Sequence, residues 1–414
     1  MNFDAIVVGA GPVGSTVAEH IAKEGYSVLI LEEHPRIGIP RHCTGKISAN
    51  ALRELELGSS VGALQEVRGA TFFSPDADSI HVERGDVQAY VFDRSTLDKR
   101  LSENAEDAGA QLLKSAHATN VSIDPNRVIV QFKHEDEYHR IGTRIVIGAD
   151  GANSLIARRL GLYSKERSAV KVAIQRDLTG LRHIQSDFVE LYLGKKYAPG
   201  FFAWIVPTGE DSAKVGLSVS PSNSKYLLRY LEDFISSHPI ARKKLRATRC
   251  IGQTVHIIPT GGPLRRTVSN GVLIVGDAAG QVKSTTGGGV YYGMTCAKIA
   301  GSVVSKALSL QNSVLPASIL MEYQERWRER FGREINLSVR IRHLLDSLTD
   351  DAVNYLFHIV RNDEALIETI EAEGDIDWQS KVSMSICKHA LRFLLRYPHY
   401  LPSFLRYLIE YAAS

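Results

Sequence analysis

Gly9-Ala10-Gly11-Pro12-Val13-Gly14 has the spacing G-x-G-x-x-G, and an acid, Glu32, ends the next apolar run. In the right setting these residue types bind a dinucleotide. Gly9 permits a tight turn, Gly11 lets the backbone approach a pyrophosphate, and Gly14 lets a helix pack closely on a strand. A helix starting here aims its first N–H groups at phosphate, and Glu32 can accept hydrogen bonds from ribose hydroxyls. The setting is present: residues 4–8 and 28–32 read as strands on either side of a helix over 14–24, a βαβ opening. The motif alone does not separate NAD from FAD.

A second set narrows the choice. Val272-Leu273-Ile274-Val275-Gly276-Asp277-Ala278-Ala279-Gly280 is an apolar strand ending in an acid, and Thr286-Gly287-Gly288-Gly289 follows it. An acid there can bind ribitol hydroxyls. Glycines ahead of a helix let its first amides approach the carbonyl edge of a flavin and stabilise negative charge on the reduced ring. A glycine-aspartate turn is common by itself, but a third element, Gly148-Ala149-Asp150-Gly151, follows another strand over 144–147. The three together select FAD. No second G-x-G-x-x-G follows another strand, so a separate nicotinamide-binding domain is not expected.

The elements that must position these residues alternate between two kinds. Short strands are expected over 63–90, a helix over 95–108, and strands over 120–123 and 127–133 joined by Asp124-Pro125-Asn126. A helix starts near Ser154. Residues 171–178, 188–193, 201–206 and 214–220 read as strands, with one helix over 226–236, and the chain is helical from 319 onward. The expected fold class is α/β: a Rossmann-like FAD-binding domain (1–62, 91–165 and 260–318), an inserted antiparallel-sheet substrate domain (63–90 and 166–259) and a helical C-terminal region (319–414).

At these residues the chain resembles the flavoprotein group that contains aromatic hydroxylases, flavin halogenases and geranylgeranyl reductases, over about residues 4–330. The Gly276 to Gly280 turn with Gly287-Gly288-Gly289 is similar to that of the geranylgeranyl reductases, where hydroxylases usually carry histidine in place of Gly280. The loop Gly38-Ile39-Pro40-Arg41-His42-Cys43-Thr44-Gly45 resembles their cysteine-bearing loop beside the flavin. Phe202-Ala203-Trp204-Ile205-Val206-Pro207 resembles their Y-x-W-x-F-P substrate motif, and also the W-x-W-x-I-P segment of halogenases. Three positions depart from the reductase pattern: Phe202 replaces tyrosine, Val206 replaces phenylalanine, and Ser284 stands where a proline is usual.

The resemblance implies that Glu32 or Glu33, Arg94, Asp277, Gly288, Gly289 and Val290 contact FAD, with Ala118 reaching it through its backbone and Cys43 and Gly45 beside the flavin. Read without it, Arg94 is equally a surface ion pair. Phe202, Trp204 and Pro207 would line a long apolar pocket for an isoprenoid chain, although an aromatic strand can also be plain core. Cys43 is a candidate for the chemistry as well as for packing against the flavin. The implied reaction is reduction of prenyl double bonds in a lipid precursor, with electrons from a protein such as ferredoxin or from NAD(P)H. A flavin monooxygenase or halogenase is the alternative enzyme, and a non-catalytic FAD- or lipid-binding protein the alternative of another class.

Composition sets outer bounds. The chain has 414 residues, 44% of them apolar and 23% charged, with a net charge of +3. That is a globular composition, without the clustered basicity of a nucleic-acid binder. The four cysteines, Cys43, Cys250, Cys296 and Cys387, form no C-x-x-C pair, so no metal cluster or disulfide framework is expected. No apolar run is long enough for a membrane span or an export signal, which makes the expected location cytoplasmic. Leu391-Arg392-Phe393-Leu394-Leu395-Arg396 and Phe404-Leu405-Arg406-Tyr407-Leu408-Ile409 mix basic and apolar residues, as a segment touching the inner membrane face would, or as a helix packed on the body would.

Overall fold

The computed structural model describes residues 3–58, 62–163, 169–380, 390–402 and 405. Cys387, Phe404 and residues 406–409 of the basic and apolar C-terminal stretch lie outside them. The chain forms two compact units, each made of three segments: Met1–Arg41, Arg94–Ala169 and Pro259–Asn336 in the first, His42–Asp93, Val170–Ile258 and Leu337–Ser414 in the second.

The first unit is built on parallel strands. Phe3–Val8 pairs in parallel with Val28–Leu31 on one side and with the end of Glu137–Gly148 on the other. Gln111–Leu113 extends the sheet beyond one edge, and Val272–Ile274 joins beyond the other. The central strands are runs rich in Val, Ile, Leu and Ala, rather than alternating, because covering on both faces buries almost every position, with Asp4 and the short edge strand Gln111–Leu113 as exceptions. Helix Pro12–Lys23 follows the first strand, and helix Val290–Leu308 lies directly on it at two glycines. A Cβ on Gly293 would fall 2.6 Å from Val13 Cγ2, and one on Gly301 2.5 Å from His20 Cβ. Glu137–Gly148 begins as the last strand of an antiparallel meander with His117–Asp124 and Arg127–His134 before its end joins the parallel sheet.

The second unit holds a seven-stranded sheet in the order Arg249–Pro259, Val170–Thr179, Ser212–Val219, Phe202–Pro207, Phe188–Leu193, Gly69–Phe73, Ser79–Glu83. Helix Leu227–Ser237 buries Leu227, Leu231 and Phe234 against the face formed by Ala203, Ile205, Val215 and Leu217. The opposite face carries Trp204, Val206, Val189 and Ala173, with Phe202 packed alongside.

The last residues fold onto this sheet as helices rather than forming a separate region. Arg361 pairs with Asp78, the Glu83 N–H donates to Glu371 at 3.1 Å, and Lys171 reaches Asp346 at 2.6 Å. Residues 42–62 also belong here, since Lys46–Ser48 pairs with Ala89–Phe92. The three-part division expected from the sequence therefore differs from the two units, because these contacts are made by side chains and short strands that leave no periodic signal. In helix Ala390–Arg396, Phe393 and Leu394 pack with Leu348, Ala352 and Tyr400, while Leu395 is exposed. Among the described residues, no helix is long and apolar enough to cross a membrane.

Candidate functional site

The glycine turn of the first unit divides its labour. Gly9 has φ +100°, and a Cβ there would lie 2.5 Å from Ala149 O; one on Gly14 would lie 1.9 Å from Gly9 O. Both positions are closed to any side chain by backbone. Gly11 is the opposite case, with nothing within 4 Å of its Cβ direction. It begins a twelve-residue helix that has Pro12 in its first turn and no side-chain cap. That combination is an open, amide-lined cradle of the kind a pyrophosphate fills.

Glu32 is buried beside the turn. Its Oε2 accepts the Ala10 N–H at 2.8 Å, and its Oε1 accepts the His34 N–H at 3.0 Å. His34 Nδ1 also lies 2.6 Å from Oε1, and a carboxylate has a lone pair beyond these three contacts for a ribose hydroxyl. Glu33 is more exposed and faces His117 Nδ1 at 2.9 Å. Ala118, on the neighbouring strand, is buried where the pairing with Phe132 shifts register.

Asp277 lies in a one-turn 3-10 helix, Gly276–Ala279, bounded by Gly276 and Gly280, each with φ +71°. Burial raises its carboxyl from 3.8 to about 6, and the Arg94 cation works in the other direction. Arg94 is held by a bidentate pair with Asp98, both bonds at 2.8 Å, so the ion pair exists, but largely buried rather than on the surface. A Cβ on Gly289 would fall 2.5 Å from Asp277 Oδ1, whereas one on Gly288 would meet the flexible end of Lys283 at 2.8 Å. Gly289 opens the nineteen-residue helix that starts at Val290, again without a side-chain cap.

Two residues that spacing did not single out fix this turn. Gln281 Oε1 accepts the Gly276 N–H at 2.7 Å, Gln281 Nε2 donates to Tyr323 OH at 2.9 Å, and that hydroxyl donates to Ile274 O at 3.0 Å.

In the second unit, Cys43 and Trp204 belong to one neighbourhood. The Cys43 carbonyl accepts from Lys214 Nζ at 3.3 Å, and its thiol accepts the Gly45 N–H at 3.4 Å. Gly45 is a packing glycine: a Cβ would fall 2.1 Å from Phe92 O. His42 and His256 have ring centroids 5.8 Å apart, and burial pushes His256 down to about 4, so it is neutral near pH 7. Phe202 and Trp204 meet edge to face at 6.1 Å on the sheet face described above. Pro207 follows the parity of Ala203 and Ile205, and so belongs to the other face. Lys214, Asp177 and Gln175 were not foreseen beside the aromatic residues. Among the described residues, no group of three or more metal-ligating side chains occurs.

Comparison with known proteins accords with this geometry. The FAD binding domain family matches residues 2–325. The chain is 34% identical to digeranylgeranylglycerophospholipid reductase 2 of Methanopyrus kandleri over 375 residues, 88% of this chain and 92% of that one. It superposes on a geranylgeranyl bacteriochlorophyll reductase-like protein of Thermoplasma acidophilum with a TM-score of 0.82 at 27% identity, covering 95% and 99% of the two chains. The myxobacterial chondrochloren halogenase shares the fold alone, at 20% identity and a TM-score of 0.67 over 82% of each chain. The two uncapped helix starts, the buried aspartate and these matches lead to one statement: the chain is an FAD-binding oxidoreductase and a member of the geranylgeranyl reductase family.

Proposed function

We propose that this enzyme saturates isoprenoid double bonds of a geranylgeranyl-bearing lipid precursor, an ether phospholipid of archaeal type, with electrons drawn from a protein such as ferredoxin or from NAD(P)H. The observation that carries this reading is the 34% identity to a named digeranylgeranylglycerophospholipid reductase across nearly the whole of both chains. Bound FAD, once reduced, supplies a hydride. In this reading Gly9, Gly11, Gly14 and Glu32 hold the ADP half, with Glu33 and Ala118 at its edge. Asp277, Arg94, Gly288, Gly289 and Val290 hold the ribitol and ring.

The apolar face around Phe202 and Trp204 suits a hydrocarbon chain, and an unactivated alkene reacts only when held close and in one orientation. Cys43 flanks the reacting end of that chain. A lipid substrate brings the enzyme to a membrane surface as a peripheral visitor.

The test is anaerobic. Dithionite-reduced protein mixed with a digeranylgeranyl glycerophospholipid should give products heavier by two hydrogens per bond reduced, and Trp204→Ala should slow this at least tenfold with normal FAD content. If the lipid mass stayed fixed while the reduced protein consumed oxygen and hydroxylated or halogenated an aromatic compound, the monooxygenase or halogenase reading would take its place.

A further inference from the structure

The sheet face that carries Phe202 and Trp204 also holds polar atoms that no hydrocarbon can satisfy. Strand register puts Trp204 opposite Gly216 and Gly216 opposite Gln175; one pair along, Val206 faces Lys214 and Lys214 faces Asp177. The indole lies over Gly216, where a Cβ would fall 2.6 Å from Trp204 Cζ2 and 2.7 Å from Cε2. Nε1 is bonded to Cε2, so the indole nitrogen lies close to Gly216, the residue that pairs with both Trp204 and Gln175. Trp204 Nε1 and Gln175 Oε1 are both buried, and neither has a hydrogen-bond partner in the protein. One is a donor and the other an acceptor.

His256 Nδ1, on the strand beyond Gln175, and Asp177 Oδ1 are in the same condition. Lys214 is buried with its ammonium 3.6 Å from Asp177 Oδ1 and 3.3 Å from the Cys43 carbonyl. Buried polar atoms are almost always paired, with protein or with ordered water. Three such atoms without a hydrogen bond, Trp204 Nε1, Gln175 Oε1 and His256 Nδ1, with an Asp177 Oδ1 held only by the Lys214 ion pair, lie within four successive strands of one face and, with donors and acceptors mixed, describe a lodging for water.

We infer that Trp204, Gln175, Asp177 and Lys214 hold a short file of water molecules, and that saturation of the double bond draws its proton from this file. The inference rests on the function proposed above. Reduction of one C=C bond places a hydride, with both electrons from the reduced flavin, on one carbon and a proton on the other. As the new C–H bond forms, an O–H bond of the terminal water breaks. The hydroxide left behind is reprotonated along the file by the Lys214 ammonium, and the amine recovers its proton from solvent. Gln175 and Asp177 are positioning residues that hold the water, Lys214 relays the proton through it, and none of the three touches a reacting carbon.

Two experiments on the full-length, FAD-loaded protein separate the site from its role. A high-resolution crystal structure should show ordered water bonded to both Trp204 Nε1 and Gln175 Oε1; a dry gap there overturns the site whatever the activity. In anaerobic stopped flow with saturating digeranylgeranyl glycerophospholipid, Gln175→Leu should keep FAD content and lipid affinity. It should slow flavin reoxidation at least tenfold and change the solvent deuterium isotope effect, and Gln175→Glu should recover most of the rate. Lys214→Met should behave likewise and Lys214→Arg should be milder. A wild-type rate and isotope effect in Gln175→Leu overturns the proton role. Water in place without turnover of any lipid by the wild type also overturns that role, through the functional reading, and differs visibly from a dry gap.

Discussion

Asp277 is the residue whose charge costs the fold most visibly. Its folded pKa of about 6 lies above the ordinary 3.8 because the carboxyl is fully buried. A raised carboxyl pKa means that the folded, FAD-free protein keeps this proton longer than the unfolded chain does. Stability from the group is therefore present below about pH 4 and lost as pH rises through about 6, an amount of about 3 kcal/mol at 1.36 kcal/mol per unit. Against Asp277→Asn, the wild-type apoprotein should lose roughly that much between pH 4 and 7 in urea titrations. FAD binding should tighten over the same range, because hydroxyl donors favour the ionised carboxylate; equal pH profiles in the two proteins would count against a buried, hydroxyl-binding Asp277. Sequence made Asp277 legible because a strand, an acid and glycines stand together. Gln281 and Tyr323, which bond to each other across 42 residues, were not legible. A hydrogen bond between side chains far apart in the chain imposes no spacing on either.

At the scale of elements, glycines show where helices must come close and where a ligand must. Gly293→Leu in helix Val290–Leu308 would drive a side chain into Val13 Cγ2, the residue just inside the glycine turn. Overpacking of this kind costs typically about 1–3 kcal/mol, and it should cost FAD as well, since Val13 belongs to the first turn of helix Pro12–Lys23. Gly11→Val is the contrasting variant. Its side chain enters open space at φ −67°, so stability should stay within about 0.5 kcal/mol while flavin absorbance after purification falls to background. Urea midpoints and bound-flavin spectra check both, and a Gly11→Val protein that retains FAD would refute the cradle. The central parallel strands were readable from their Val, Ile and Leu runs although they are only three to six residues long. Arg249–Pro259 was not, since Ile251, Val255 and Ile257 point to solvent while His256 between them is half-buried with its Nδ1 shielded, inverting the usual pattern. Lys46–Ser48 and Gln111–Leu113 are three residues each, too short for any period to show.

For the whole molecule, acid acts on the two units in opposite senses. His238 in the second unit is buried, its Nδ1 accepting the N–H groups of Ile240 and Ala241 at 3.3 Å, and burial with the nearby Lys196 and Lys244 holds it down to about 4. A depressed histidine pKa gives stability above the unfolded value of 6.5 that is lost as pH falls toward 4, and His256 adds to it in the same direction. The first unit meanwhile gains from protonation of Asp277. Calorimetry of the FAD-free protein at pH 4.5 should therefore show the second unit melting earlier relative to the first than at pH 7.5, and His238→Asn should shrink the change; a separation independent of pH would contradict the buried, neutral histidine. The segmental make-up of the units has a consequence during synthesis. The strand that closes the first sheet, Val272–Ile274, is made long after Phe3–Val8, at the far side of two segments that belong to the other unit. At about 5–20 residues per second, Glu137–Gly148, which pairs with Val272–Ile274, is complete roughly six to twenty-five seconds before that partner exists. Through that interval the apolar edge of Glu137–Gly148 stands uncovered, so a growing chain depends on chaperone shelter, and a stop codon between residues 148 and 272 releases a product with a sticky edge rather than a smaller working domain.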